Sequence, residues 1–79
     1  MKVEIISPTS KLFSGEVKSV TVPSKMGPFT LLDHHAPIVA ILEAGKVTLT
    51  DSQGENQEFV IKGGFAEQHD NTLIVCAEL

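Results

Sequence analysis

An all-β fold, a sandwich or barrel of about eight to ten short strands, is what this sequence predicts. Three observations carry that expectation. The dominant period of hydropathy is two residues. Turn signals built from Gly, Pro, Asn, Asp and Ser recur at short spacing. No window keeps apolar residues at helical spacing over three turns. Strict alternation with β-branched residues means strands buried on one face.

The elements follow in order. Val3 and Ile5 alternate with Lys2 and Glu4, and Ser7-Pro8-Thr9-Ser10 reads as the turn that ends the run. Ser14-Gly15 is the next turn signal. Lys18, Val20 and Val22 then alternate with Val17, Ser19 and Thr21, up to a turn at Pro23-Ser24. Met26-Gly27-Pro28 is a loop in which Gly frees φ and Pro fixes it;. From Leu31 to Leu42 the spacing comes closest to helical, but Pro37 lies in its middle, where a helix would lose ~3 kcal/mol;. After Ala44-Gly45, Val47 and Leu49 alternate with Lys46, Thr48 and Thr50. Asp51 to Asn56 is the most polar stretch and reads as an exposed hairpin tip. Phe59 and Ile61 alternate with Glu58, Val60 and Lys62; Gly63-Gly64 then reads as a tight turn or bulge;. Asp70-Asn71 is the last turn, before the apolar strand Leu73-Ile74-Val75-Cys76-Ala77.

Size and composition narrow the function. A chain of 79 residues makes one domain, spanning 1–79. So small a domain buries only ~60% of its unfolded surface and is marginal alone. Cys76 is the only cysteine, so no disulfide adds stability, and the unpaired thiol suits a reducing compartment;. A permanent partner is then a plausible second source of stability. Ten acids against six lysines, with no arginine, give a net charge of −4. That argues against nucleic acid, which needs a basic footprint, and against a phosphate site built on guanidinium forks. The N-terminal MKVEIISP lacks the apolar segment of a signal peptide, and the longest apolar run, Ala36 to Leu42, is seven residues against the ~20 of a membrane helix;. The chain reads as cytosolic, with any membrane contact made through a partner.

Candidate reactive groups do not converge. His34 and His35 sit beside Asp33, but neighbouring side chains on extended backbone point to opposite faces;. His69 lies in another turn, and no spacing matches a zinc pattern;. Cys76, within an apolar strand among acids, reads as a packed thiol and not a nucleophile;. Gly63-Gly64 opens no helix, as a phosphate loop must;. The apolar cluster Phe29, Leu31, Leu32, Pro37, Ile38 and Val39 leaves two readings open: core with an edge strand, or a patch shown to a partner;. A small hydrolase using His35 with Asp33 or Cys76, and a free-standing β-sandwich module for a small ligand, are the competing functions. Four phenylalanines with no Trp or Tyr weigh against the ligand module.

Met26-Gly27 through His35-Ala36-Pro37, Leu12-Phe13-Ser14-Gly15 with Val17 and Val22, Gly45 with Val47, and Gly63-Gly64-Phe65-Ala66 together carry a resemblance. From Val3 to Glu78 the chain resembles the N-terminal β-sandwich domain of the ε subunit of F-type rotary ATP synthases. The resemblance implies a flattened antiparallel β-sandwich with no active site, no cofactor, no metal and no ATP binding. It implies a non-catalytic place in the rotor, with the γ subunit and the membrane c-ring as partners, on the cytoplasmic face of a bacterial inner membrane. It puts Met26, Gly27, Pro28 and Phe29 in a ring-facing loop, and Ser7, His35, Ala36, Pro37 and Val39 towards γ. The chain departs from the family at Pro28, Thr30, Asp33 and His34, where other residue types are common. Lys25, or apolar contact through Met26 and Phe29, then replaces the acidic ring contact of some members. The family's helical C-terminal hairpin is not expected here, nor the inhibition that the hairpin exerts.

Overall fold

The computed structural model describes residues 1–79. Eight strands follow in order: β1 Lys2–Ile6, β2 Lys11–Ser24, β3 Gly27–Leu32, β4 Ile38–Leu42, β5 Gly45–Asp51, β6 Asn56–Ile61, β7 Gly63–His69 and β8 Thr72–Glu78. One layer is β4-β7-β8-β1, the other β3-β2-β5-β6. β2 joins them. Its first half, Lys11–Glu16, pairs with β1, and its second half pairs with β3 and β5. Its last residue, Ser24, meets Leu42 of β4. The path β2-β1-β8-β7-β4 therefore returns to β2, and the sandwich is also a flattened closed ladder. Its Cα extents are 26 × 23 × 18 Å. All pairings are antiparallel except β1 with β8, which run side by side.

β2 is 14 residues long, where the sequence reading expected shorter strands. Ser14-Gly15, read as a turn, lies within it: Gly15 pairs with Val3 and Ser14 with Glu4. The second difference is a phase change. Val17 pairs with Asp51 and Ser19 with Thr50, so Lys18 is an extra residue in the ladder. This bulge lets Val17 turn inward with Val20 and Val22, at 3%, 0% and 0% exposure;. Uniform alternation had set Val17 on the face opposite Val20.

Elsewhere period two holds. The core is one cluster drawn from every strand, including Val3, Ile5, Leu31, Ala40, Leu42, Val47, Leu49, Ile61, Ala66, Leu73 and Val75. Phe29 and Phe59 pack against its margin. Asp70 and Asn71, both at positive φ (52° and 58°), form the two-residue link between β7 and β8;. Gly64 has φ +141°, and a Cβ there would overlap the carbonyl oxygen of Cys76 on β8. Only glycine fits where β7 presses so closely on its neighbour.

Candidate interaction surface

The two layers present very different outer faces. On the β3-β2-β5-β6 layer, Thr30, Thr21, Thr48 and Glu58 line up across the strands. The Thr21 and Thr30 hydroxyls lie 2.8 Å apart in a hydrogen bond. On the β4-β7-β8-β1 layer the matching row is apolar: Ile41, Phe65, Cys76 and Ile6. The next row outward reads Val39, Glu67, Ile74 and Glu4. Val39 and Ile41 are 68% and 58% exposed, and Phe65 is 45% exposed. With strands ~4.8 Å apart, each row spans ~14 Å.

Two corners frame this plate. At one, the link between β2 and β3 leans on β4. Lys25 N–H donates to Ile41 O at 3.0 Å, and Glu43 N–H donates to Pro23 O at 2.8 Å. The Ser24 hydroxyl accepts from the Met26 amide at 3.1 Å. Met26, 96% exposed, stands at the tip, and Gly27 follows it at φ +108°. A depression of about 640 Å³ opens between this link and β4, bordered by Met26, Pro28, Phe29, Ile38, Val39 and Ile41. A second depression, of about 450 Å³, lies by Ile6, Ser7, Pro8, Phe65 and Cys76.

The segment from Asp33 to Pro37 enters β4 at the other end and is held by a polar network. The α-amino group of Met1 donates to Asp33 Oδ1 at 2.6 Å and to Val17 O at 3.1 Å. Asn71 Nδ2 donates to the same Asp33 oxygen at 2.9 Å, and Asn71 Oδ1 accepts from the His34 amide at 2.7 Å. His34 itself sits at φ 61°. The hydrogen bond from the Met1 ammonium, and next that from Asn71, hold the Asp33 carboxyl below its ordinary 3.8;. Beneath the segment, Gln68 Nε2 donates to His35 O at 3.4 Å. Gln68 is 1% exposed, and its Oε1 has no partner.

These placements sort the residues expected from the sequence. Met26 and Pro28 are exposed at the tip, while Phe29 turns partly into the core. Val39 borders the same depression as Met26, so the two expected contact sets adjoin. His35, Ala36 and Pro37 are exposed where the chain enters β4. Ser7 lies at the diagonally opposite corner, just past Ile6, where its hydroxyl accepts from the Ser10 amide at 3.1 Å. Phe65, Glu67, Ile74 and Cys76, which lie between those corners, were not among the contact residues expected from the sequence. Their outward phase was legible, because Ala66 and Gln68 point inward on β7 and Leu73 and Val75 on β8.

Chemistry of the catalytic kind is not assembled. His34 Nε2 is 3.7 Å from Asp33 Oδ2, and His69 Nδ1 is 3.1 Å from Asp70 Oδ2, at separate turns. No three His, Cys, Asp or Glu side chains converge on one point. Each depression has one charged side chain on its border, Lys25 in one and Glu78 in the other. Such a molecule belongs to the class of small β-sandwich domains.

The whole chain, residues 1–79, matches the family described as ATP synthase, Delta/Epsilon chain, beta-sandwich domain. It belongs to that family. It is 42% identical over 77 residues to the ATP synthase epsilon chain of Chlorobium limicola, covering 98% of this chain and 88% of that one. It is 39% identical over 77 residues to the ATP synthase epsilon chain of Dichelobacter nodosus, covering 98% of this chain but 54% of that protein's length. Among solved structures it is similar in fold to a chain of the Euglena gracilis mitochondrial ATP synthase, with a TM-score of 0.88 at 22% identity, over 95% of this chain and 48% of that chain. A chain in the central stalk and c-ring structure of the Tetrahymena thermophila mitochondrial enzyme gives 0.82 at 17% identity, over 100% of this chain and 63% of that one.

Proposed function

We propose that this domain is a non-catalytic rotor element of an F-type, proton-translocating ATP synthase. It links the γ subunit to the membrane c-ring, so that ion-driven rotation is delivered to the catalytic head. The observation that carries this reading is the contrast between its two outer faces. One carries a row of threonines, with its exposed apolar side chains, Leu32 and Val60, set apart on the two edge strands β3 and β6. The other is a continuous apolar plate, from Ile41 through Phe65 to Ile6, that only a partner would cover;. Obligate interfaces are large and relatively apolar, and a domain this small gains stability by joining one.

In this reading γ covers the β4-β7-β8-β1 plate together with His35, Ala36, Pro37 and Ser7. Met26, Gly27 and Pro28 form a narrow tip, stiffened by proline, that seats on the polar loops of the ring. Phe29 supports that tip from the core side. The domain is then peripheral on the cytoplasmic face of a bacterial inner membrane, and needs neither cofactor nor ATP. A ligand module is the weaker reading, since neither depression gathers polar groups from several strands. The test is capture of the tagged protein from its native cells. It should bring down γ together with a c-ring-bearing membrane complex; recovery of neither would end the proposal.

A further inference from the structure

We propose that Glu67 is the specificity-determining charge of the plate, taking a lysine or arginine of the γ partner into an ion pair that docking buries. This rests on the rotor reading above and adds a chemical requirement on the partner's surface. Glu67 lies on β7 between Ala66 and Gln68, which are 2% and 1% exposed, so its own side chain points out of the plate. Its neighbours across the strands are Val39 and Ile74, and Phe65 lies two residues along the same strand. It therefore stands between the apolar row of Ile41, Phe65 and Cys76 on one side and the polar row of His69, Thr72 and Lys2 on the other, flanked within its own row by Val39 and Ile74.

Glu67 has no ion-pair partner within the chain, whereas Glu4, at the end of the same row, has Lys11 Nζ at 3.6 Å. On the opposite outer face Glu58 has Lys46 Nζ at 3.6 Å. A lone carboxylate on a wet surface costs nothing. Once an apolar partner covers Val39, Ile74 and Phe65, the same carboxylate loses its water. A partner without a cation at that point is then strongly disfavoured, and one with a cation is selected. Arginine suits the site best, because its fork is weakly hydrated and engages both carboxylate oxygens. The chain's net charge of −4 draws a basic patch in the same sense;.

The experiment is titration calorimetry of the full chain with γ from the same organism, at low and high salt. Wild type, Glu67→Gln, Phe65→Ser and Glu58→Gln are compared, each checked for fold by circular dichroism. Loss of one member of a buried charge pair should weaken Glu67→Gln by about 30-fold or more and flatten its salt dependence. Glu58→Gln, on the far face, should match wild type. A loss under threefold for Glu67→Gln, with Phe65→Ser still damaging, overturns the role of Glu67 and leaves the plate intact. No effect of Phe65→Ser either would remove the plate as the interface. Absence of any binding by wild type would bring down the rotor reading, and this inference with it.

Discussion

At Gly64 the φ of +141° and the Cys76 carbonyl leave no room for a side chain, so Gly64→Ala should cost at least about 3 kcal/mol in urea denaturation;. A second residue with a defined signature is Asp33. Its carboxyl is held below 3.8 in the folded state by the Met1 ammonium and Asn71. A depressed acid stabilises the fold above its unfolded value and loses that contribution as pH falls through the folded one. The stability gap between wild type and Asp33→Asn should therefore persist from neutral pH down to about 3.8 and close below it, as read by thermal melts across that range. A gap that is unchanged at the acid end would mean the carboxylate is not what holds the segment. Neither residue's role was legible in the sequence. Gly63-Gly64 announced a turn or bulge but not which glycine is obligatory, because that depends on β8, which is remote in sequence. Asp33 looked like a neighbour of two histidines; its partners, Met1 and Asn71, are remote from it in sequence. Gln68 was hidden for a different reason. It shares the inward phase of Ala66, yet an amide in that register looks like an error of pattern until its bond to His35 O is seen.

Among the elements, β2 decides most. The bulge at Lys18 shifts the inward phase by one residue between Val17 and Val20, and that shift allows one strand to serve both layers;. Deleting Lys18 would place Val17, Val20 and Val22 at uniform two-residue spacing, keeping their inward phase but removing the bend and extra twist that the bulge gives β2 where it passes from one layer to the other;. The expected outcome is a lower denaturant midpoint for the deletion, because β2 no longer bends between its two pairings, while Lys18→Ala, which keeps the extra residue, should behave as wild type. The alternation itself was readable in the sequence, since every strand with one buried face shows it. The length of β2 was not, because Ser14-Gly15 has the composition of a turn while its backbone is paired to β1. For β4, Val39→Glu should weaken γ binding far more than it lowers the stability of the isolated domain, because Val39 is 68% exposed. Equal dissociation constants for mutant and wild type would show that γ sits elsewhere.

For the whole molecule, the closed path through β2 matters mechanically. A domain that transmits torque must not shear between its layers, and here both edges of one layer are tied back to the same strand of the other. The single parallel pair, β1 with β8, brings the first and last strands together, so the plate that γ would cover is built from both halves of the chain. A stiff body with one apolar face and a projecting tip at its corner is the physical content of the rotor account. The most direct test is site-directed cross-linking in the assembled complex, in a Cys76→Ser background with a single cysteine at position 39 or at position 60. Both positions are exposed valines, 68% and 72%, on opposite layers. The account predicts that position 39 cross-links to γ and position 60 does not; γ captured from position 60, with none from 39, would contradict it.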